Sequence, residues 1–348
     1  MKIKEYGSDF HYIDSEKWRA VNTINSFFAE NDLNLYYSGR AALYAILETG
    51  IKNNGWHTLA IPSYYCHEVI NFIKPLSITI EYYEITPFKE IEFNIENWED
   101  SAQTAVLIVD YFGVDKIDYS QLKNSIIIED FTHNIEFFKK SKADYCFGSL
   151  RKALPIPVGG FCYFGNSKPV AIAPSNLQAD SETMARFSAM YLKNQFLKGT
   201  FANKDFFRKL YASTEENFTH NFAYSSLPNS AKDYLNSLLV QEIFDAKKKN
   251  LSLAKSLLQQ NDSFELMSSK DNTDFALTLK FNDSEIRDSF KSYLINHNIF
   301  PIVLWPNQFI AANKQFEQTI LFIHVDFRYN KEDITTIINI INHYFDKV

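Results

Sequence analysis

The stretch Asp144-Tyr-Cys-Phe-Gly-Ser149-Leu-Arg-Lys152-Ala-Leu-Pro155-Ile-Pro157-Val-Gly159-Gly160 begins as an apolar strand. It ends in Gly and Ser, passes two basic residues and enters Pro- and Gly-rich chain. The two prolines forbid a long helix after Lys152, since each lacks an amide hydrogen and crowds the turn before it. A lysine in a non-helical turn at a sheet edge can be partly desolvated. Desolvation lowers its pKa and supplies the free amine that attacks an aldehyde. By itself a lysine is ordinarily solvated surface, so Lys152 takes its meaning from its surroundings.

Around this stretch the first two fifths of the chain alternate short apolar runs with helical segments. Leu59–Ile61, Ile78–Tyr82, Ala105–Val109 and Ile126–Ile128 are short and rich in β-branched residues, and Tyr145–Phe147 and Gly160–Phe164 continue the series. Such lengths predict βαβ units and a mostly parallel sheet, the α/β class. Ligands of such sheets gather at the carboxyl ends of the strands. From about 176 to 260 the pattern is helical. Ala231–Leu258 reads as one long helix or two abutting ones, with Leu235, Leu238, Leu239 and Ile243 at helical spacing. Beyond it Phe275–Phe281, Ile299–Trp305 and Ile320–Val325 read as strands, and Ser284–His297 and Glu332–Phe345 as helices. The pattern divides the chain into a large domain, 1–235, and a small α+β domain, 236–348.

Composition narrows the function. A chain of 348 residues suits about two domains. The 46% of apolar and 16% of aromatic residues argue for packed cores and against disorder. A net charge of −7 advertises no nucleic-acid surface. Cys66, Cys146 and Cys162 are too few and too odd in number for a disulfide framework and read as reduced and packed. No Cys-x-x-Cys or His-Glu-x-x-His motif suggests a metal. The N-terminus lacks the apolar stretch of a signal peptide, and no run approaches the roughly 20 apolar residues that span a bilayer. The expected location is the cytoplasm.

Three further segments bear chemistry. Asp130 closes Ser125-Ile-Ile-Ile-Glu-Asp130, and a buried carboxylate there needs a cationic partner. A protonated pyridine nitrogen would serve, and a helix N-cap is the bland alternative. Asp110, at the end of Ala105–Val109, is a rival of the same kind. His133 can stack on an aromatic ligand or be a satisfied structural residue. Tyr37-Ser38-Gly39-Arg40-Ala41-Ala42-Leu43 opens a good helix, whose free amides and dipole can hold a phosphate. Arg40 could add charge and Ser149 a second phosphate donor. Taken by itself, the segment is better explained as an ordinary Ser-capped helix.

Together these segments resemble the fold type I enzymes that use pyridoxal phosphate (PLP). More narrowly, they are similar to the DegT/StrS-type sugar aminotransferases. Ser38-Gly39-Arg40-Ala41-Ala42-Leu43 resembles that family's Ser-Gly-Thr-x-Ala-Leu phosphate turn. Ile61-Pro62-Ser63-Tyr64-Tyr65-Cys66 resembles the segment that lays a residue over the cofactor ring. Asp110-Tyr111-Phe112-Gly113 resembles its His-x-Tyr/Phe-Gly turn. Glu129-Asp130-Phe131-Thr132-His133 resembles Glu-Asp-x-x-Gln/His, whose Asp meets the pyridine nitrogen. Ser149-Leu-Arg-Lys152 with Gly159-Gly160 resembles the Schiff-base lysine and its Gly-Gly. Trp305-Pro306 and Arg328-Tyr329 extend the likeness.

The resemblance implies that Lys152 is catalytic and that Gly39, Arg40, Tyr65, Cys66, Asp130, His133, Ser149 and Lys152 bind PLP. It implies an amino-acid donor such as glutamate, a nucleotide-linked keto-sugar acceptor and a homodimer. The chain also departs from the family. Arg40 replaces a Thr, the ring position falls on Cys66 so that Tyr65 can stack instead, and Ser149 stands three residues before the lysine rather than five. His220-Asn221 is a faint counterpart of Gly-x-Asn-x-Arg. A related dehydratase carries His in place of the lysine, so Lys152 favours transamination.

Other readings remain open on sequence. Ser149-x-x-Lys152 fits the serine acyl-enzyme motif, but the partner motifs Ser-Asp-Asn and Lys-Thr-Gly are missing and the prolines break the helix it needs. A lyase, an acyl-condensing enzyme or a non-catalytic PLP-fold binding protein would share the cofactor site.

Overall fold

The computed structural model describes residues 4–20, 26–29, 31–85, 99–114, 117–165, 167–171, 173–219, 224–271, 273–308 and 310–347. In chain order, β1 (Tyr6–Gly7) precedes β2 (Leu33–Tyr36), α1 (Gly39–Asn54), β3 (Thr58–Pro62), α2 (His67–Ile73), β4 (Thr79–Tyr83) and β5 (Thr104–Val109). Then come β6 (Ile126–Asp130), β7 (Tyr145–Ser149) and β8 (Gly160–Tyr163). Strands β2 to β8 form one seven-stranded sheet in the order β2-β8-β7-β6-β5-β3-β4. Only β8 runs against the rest.

Each expected strand of this region is present, and the reason is burial on both faces. Every residue of β5, Thr-Ala-Val-Leu-Ile-Val, is buried, as a central parallel strand requires. Period-two alternation then feeds two cores. Tyr145 and Phe147 of β7 pack into one with α1, while Cys146 packs into the other with Phe138, Phe161 and Leu235. All three cysteines are free thiols, two of them buried. Lys152 does not follow an edge strand: β7 is the third of seven, between β8 and β6. The expected non-helical turn is one 3-10 turn, Leu150–Lys152, with the Ala153 amide donating to the Leu150 carbonyl at 3.1 Å.

Helices α3 (Leu177–Lys198), α4 (Lys204–Glu216), α5 (Asn229–Ser237) and α6 (Val240–Leu257) follow. The 231–258 pattern is therefore two helices, broken where Leu238 takes an extended conformation. α3 and α4 pair through a small core of their own built on Met190, Phe196, Phe207 and Tyr211. α6 joins two cores, with Ile243 and Phe244 in the core of Cys146 and Phe161 and Leu251 and Ala254 in a third. That third core is built from β9 (Phe264–Met267), β10 (Leu277–Phe281), α7 (Ser284–Asn296), β11 (Ile299–Phe300), β12 (Ile320–Ile323) and α9 (Lys331–Phe345), while α8 (Ala311–Thr319) sends Phe316 into the core of α1. The strand expected over 299–305 shrinks to two residues. They pair in parallel with β1 and bring the N-terminal segment across to the far end of the chain. Strands β2 and β9 and helix α8 were not legible as elements: each is short, and β2 carries a polar Asn34.

Candidate active site

A cavity of about 660 Å³ lies at the carboxyl ends of β3, β6 and β7 and against the start of α1. All eight residues singled out for the site line it: Gly39, Arg40, Tyr65, Cys66, Asp130, His133, Ser149 and Lys152. The local chain explains why. Strand register sets Asp130 beside Phe147, so the segments that leave β6 and β7 emerge side by side.

The start of α1 is pressed onto the sheet by glycines. A Cβ on Gly160 would stand 2.2 Å from the Ser38 carbonyl carbon, and one on Gly39 would stand 3.0 Å from the Ser149 amide nitrogen. Only glycine permits this approach. It brings the helix N-terminus, with its dipole and first amides, to the cavity beside Ser149. Ser38 is the N-cap, its Oγ accepting from the Ala41 amide at 3.1 Å. The Arg40 guanidinium is engaged with Glu68 at the rim.

Asp130 is buried. Its Oδ2 accepts from the Tyr65 hydroxyl at 2.6 Å and its Oδ1 from the Thr132 amide at 2.8 Å. No cation among the described residues pairs with it, and burial raises its pKa above the usual carboxylate value. Asp110, the rival, does not line the cavity and takes an amide hydrogen from Asn134 at 2.9 Å. Tyr65, a candidate for stacking, also orients Asp130, while its ring packs edge-on against Trp305 at 5.6 Å between centroids.

Lys152 projects into the same cavity. Burial lowers its pKa, and the neighbouring Arg151 adds to the effect. No described residue hydrogen-bonds its amine. His133 is buried against Phe275 (4.6 Å), Phe112 (4.9 Å) and Trp305 (5.6 Å). Burial, then the Lys152 charge, drives its pKa to about 3, so the ring is neutral at neutral pH. Cys66, at the start of α2, is half-buried, and burial pushes its thiol up. His220 and Asn221 lie outside the described residues.

Two features escaped the sequence. Thr132 accepts the Ser149 amide on its Oγ1 at 3.1 Å and so ties β7 to the β6 loop. Glu215 bridges Arg151 and Arg186, the latter at 3.3 Å. Burial pushes the Glu215 carboxyl up, but the two guanidiniums outweigh it and hold it at about 2. Glu215 stands 64 residues from Arg151 and has no local signal.

Solved structures with this fold include sugar aminotransferases. PseC from Helicobacter pylori, an aminotransferase involved in the biosynthesis of pseudoaminic acid, has a TM-score of 0.60 at 11% identity, over 99% of this chain and 100% of that one. The putative sugar aminotransferase Spr1654 from Streptococcus pneumoniae, in its PMP-form, has a TM-score of 0.60 at 13% identity, over 100% and 98%. The sugar aminotransferase CalS13 from Micromonospora echinospora has 0.57 at 12%, over 96% and 98%. No protein-family model and no curated protein matches the sequence. The chain thus has the mostly parallel α/β fold of these aminotransferases, the fold that its motifs led one to expect. No helix among the described residues is long and apolar enough to cross a membrane.

Proposed function

We propose that this chain is a DegT/StrS-type aminotransferase that binds PLP and moves an amino group from an amino acid, glutamate, to a nucleotide-linked keto-sugar, as a cytoplasmic homodimer. One observation carries the reading. Across a single cavity, a buried carboxylate without a cation at Asp130 faces a desolvated amine without a hydrogen-bond partner at Lys152. A buried charge left unpaired is costly, so each group calls for a ligand that completes it.

The cofactor, when bound, supplies an aldehyde for the lysine and a protonated ring nitrogen that draws electrons. The residues present fit it. Asp130 holds the proton on that nitrogen, and the Tyr65 hydroxyl holds Asp130 in place. The start of α1 and Ser149 receive the phosphate. The neutral His133 ring, backed by Phe112 and Trp305, gives a flat apolar wall that excludes water. Lys152, whose pKa is lowered by burial, takes the proton from the donor's Cα on its Nζ and returns it in the reverse half-reaction. Lysine at this position suits proton transfer of this kind, which favours amino transfer over dehydration.

An absorbance titration tests the reading. Protein mixed with PLP should develop a visible band that Lys152→Ala lacks. Glutamate should bleach the band, and one member of a panel of nucleotide keto-sugars should restore it. A folded protein that stays colourless in PLP overturns the cofactor; a band that no amino acid bleaches overturns the aminotransferase.

A further inference from the structure

A second cavity, of about 490 Å³, lies on the other flank of Lys152, between α3, α4 and the β1–β11 pair. Arg151, Lys152 and Glu215 line both cavities, so the wall between them carries the reactive amine. Arg186 and Lys193 reach in from α3 and Lys204 and Arg208 from α4. With Arg151 and Lys152 these make six cationic side chains, against the three carboxylates of Glu5, Asp9 and Glu215. The excess is local, since the chain as a whole carries −7.

The pairing within the cavity leaves this excess in place. Glu215 serves Arg151 and Arg186, and Glu5 serves Lys204. Asp9 stands 3.9 Å from Arg186. Among the described residues, Lys193 donates only to neutral oxygens, Ser8 Oγ at 2.9 Å and the Asp9 carbonyl. Burial lowers its pKa to about 8, which leaves it mostly protonated at pH 7. Arg208 is exposed at the mouth, where no described residue pairs with it. Setting aside Lys152, two positive charges remain without a carboxylate. Arginine forks and lysine ammonium groups are the donors that suit carboxylate and phosphate oxygens.

We propose that this cavity binds the anionic end of a substrate, a group with two negative charges, and thereby aims the rest of the molecule at the Lys152 amine. The inference rests on Lys152 being the reacting amine. Two substrates of the proposed reaction carry such a group: a dicarboxylic amino acid, and a nucleotide sugar through its pyrophosphate. The α3–α4 hairpin then acts as a substrate-recognition element, not only as packing.

Calorimetric titration of the PLP-loaded protein with inorganic pyrophosphate and with succinate tests this. The wild type should bind at least one of them, more weakly as salt rises. Arg208→Ala with Lys193→Gln should weaken that binding about tenfold or more, as expected for lost charge-assisted hydrogen bonds. Arg208→Ala alone, at an exposed position, gives the same direction without a risk to folding. Binding of pyrophosphate alone assigns the site to the nucleotide, and binding of succinate alone assigns it to the amino donor. No binding of either anion, or binding unchanged in both variants, overturns the proposal. The visible band is read on the same samples. A band without anion binding sinks the anion site only, and anion binding without a band sinks the cofactor reading only.

Discussion

Lys152 has two flanks, and they are built differently. On the side of Asp130 the walls are strand ends and one helix start, held by backbone contacts that glycine makes possible, and they carry a buried carboxylate that no cation among the described residues pairs with. On the side of α3 and α4 the walls are long side chains crossed into a network of charges, Arg151–Glu215–Arg186. The first flank is preorganised by the sheet and pays little entropy when a ligand arrives. The second depends on side chains that can rearrange. The contrast assigns rigid, invariant work to the first flank and recognition to the second.

The contrast can be broken in order of expected effect. Lys152→Ala should abolish the visible band and lower amino transfer by about 10²- to 10⁴-fold through lost proton transfer alone. A variant with wild-type turnover would remove Lys152 from the chemistry. Asp130→Asn keeps the shape and the Tyr65 contact but removes the charge. Loss of one preorganised electrostatic contact predicts a fall of about 10²- to 10³-fold in kcat; a change under about twofold would mean that Asp130 does not meet the ring.

Gly160→Ala puts a methyl group 2.2 Å from backbone, so the α1 start must move. Overpacking of this kind costs about 1–3 kcal/mol, to be read in urea unfolding, and the same variant should bind PLP more weakly. Unchanged stability and affinity would show that the first flank is less rigid than the geometry says.

Glu215→Gln is the mildest. The Glu215 carboxyl titrates at about 2 in the fold against an ordinary 4.5. A depressed pKa means that the unfolded chain binds more protons, so this group stabilises the protein above about pH 4.5. The contribution is lost as the pH falls through that window toward 2. The Gln variant should show a flatter stability curve between those values, with a small loss at neutral pH. An identical acid limb in both proteins would sink the Arg151–Glu215–Arg186 network as a structural element.

How much of this was legible differs by flank. Asp130, His133, Ser149 and Lys152 each sit within a few residues of a short apolar run, and Gly39 opens a helix, so sequence neighbours already place them at element ends. Asp130 and Asp110 both close apolar strands, so position alone left them level and only the motif resemblance favoured Asp130. In the fold Asp130 lines the cavity, where it takes the Tyr65 hydroxyl, and Asp110 does not line it. Nor could β7 be told from an edge strand, since strand order is a matter of pairing between segments far apart in the chain.

Alternation of apolar residues, β-branched runs and the punctuation of Gly and Pro are local properties, written into neighbouring residues. They determined the α/β class and the positions of most elements, while the set of eight residues that line one cavity came from the resemblance of short motifs to a family. The Tyr65–Asp130 hydrogen bond, the bridge from Glu215 to two arginines and the second, basic cavity were decided only by tertiary structure. The hydrogen bond and the bridge join residues about 30 to 65 positions apart and the cavity joins Glu5 to Phe300; no local pattern fixes such distances, because strand order sets the first and the packing of α3 and α4 sets the other two.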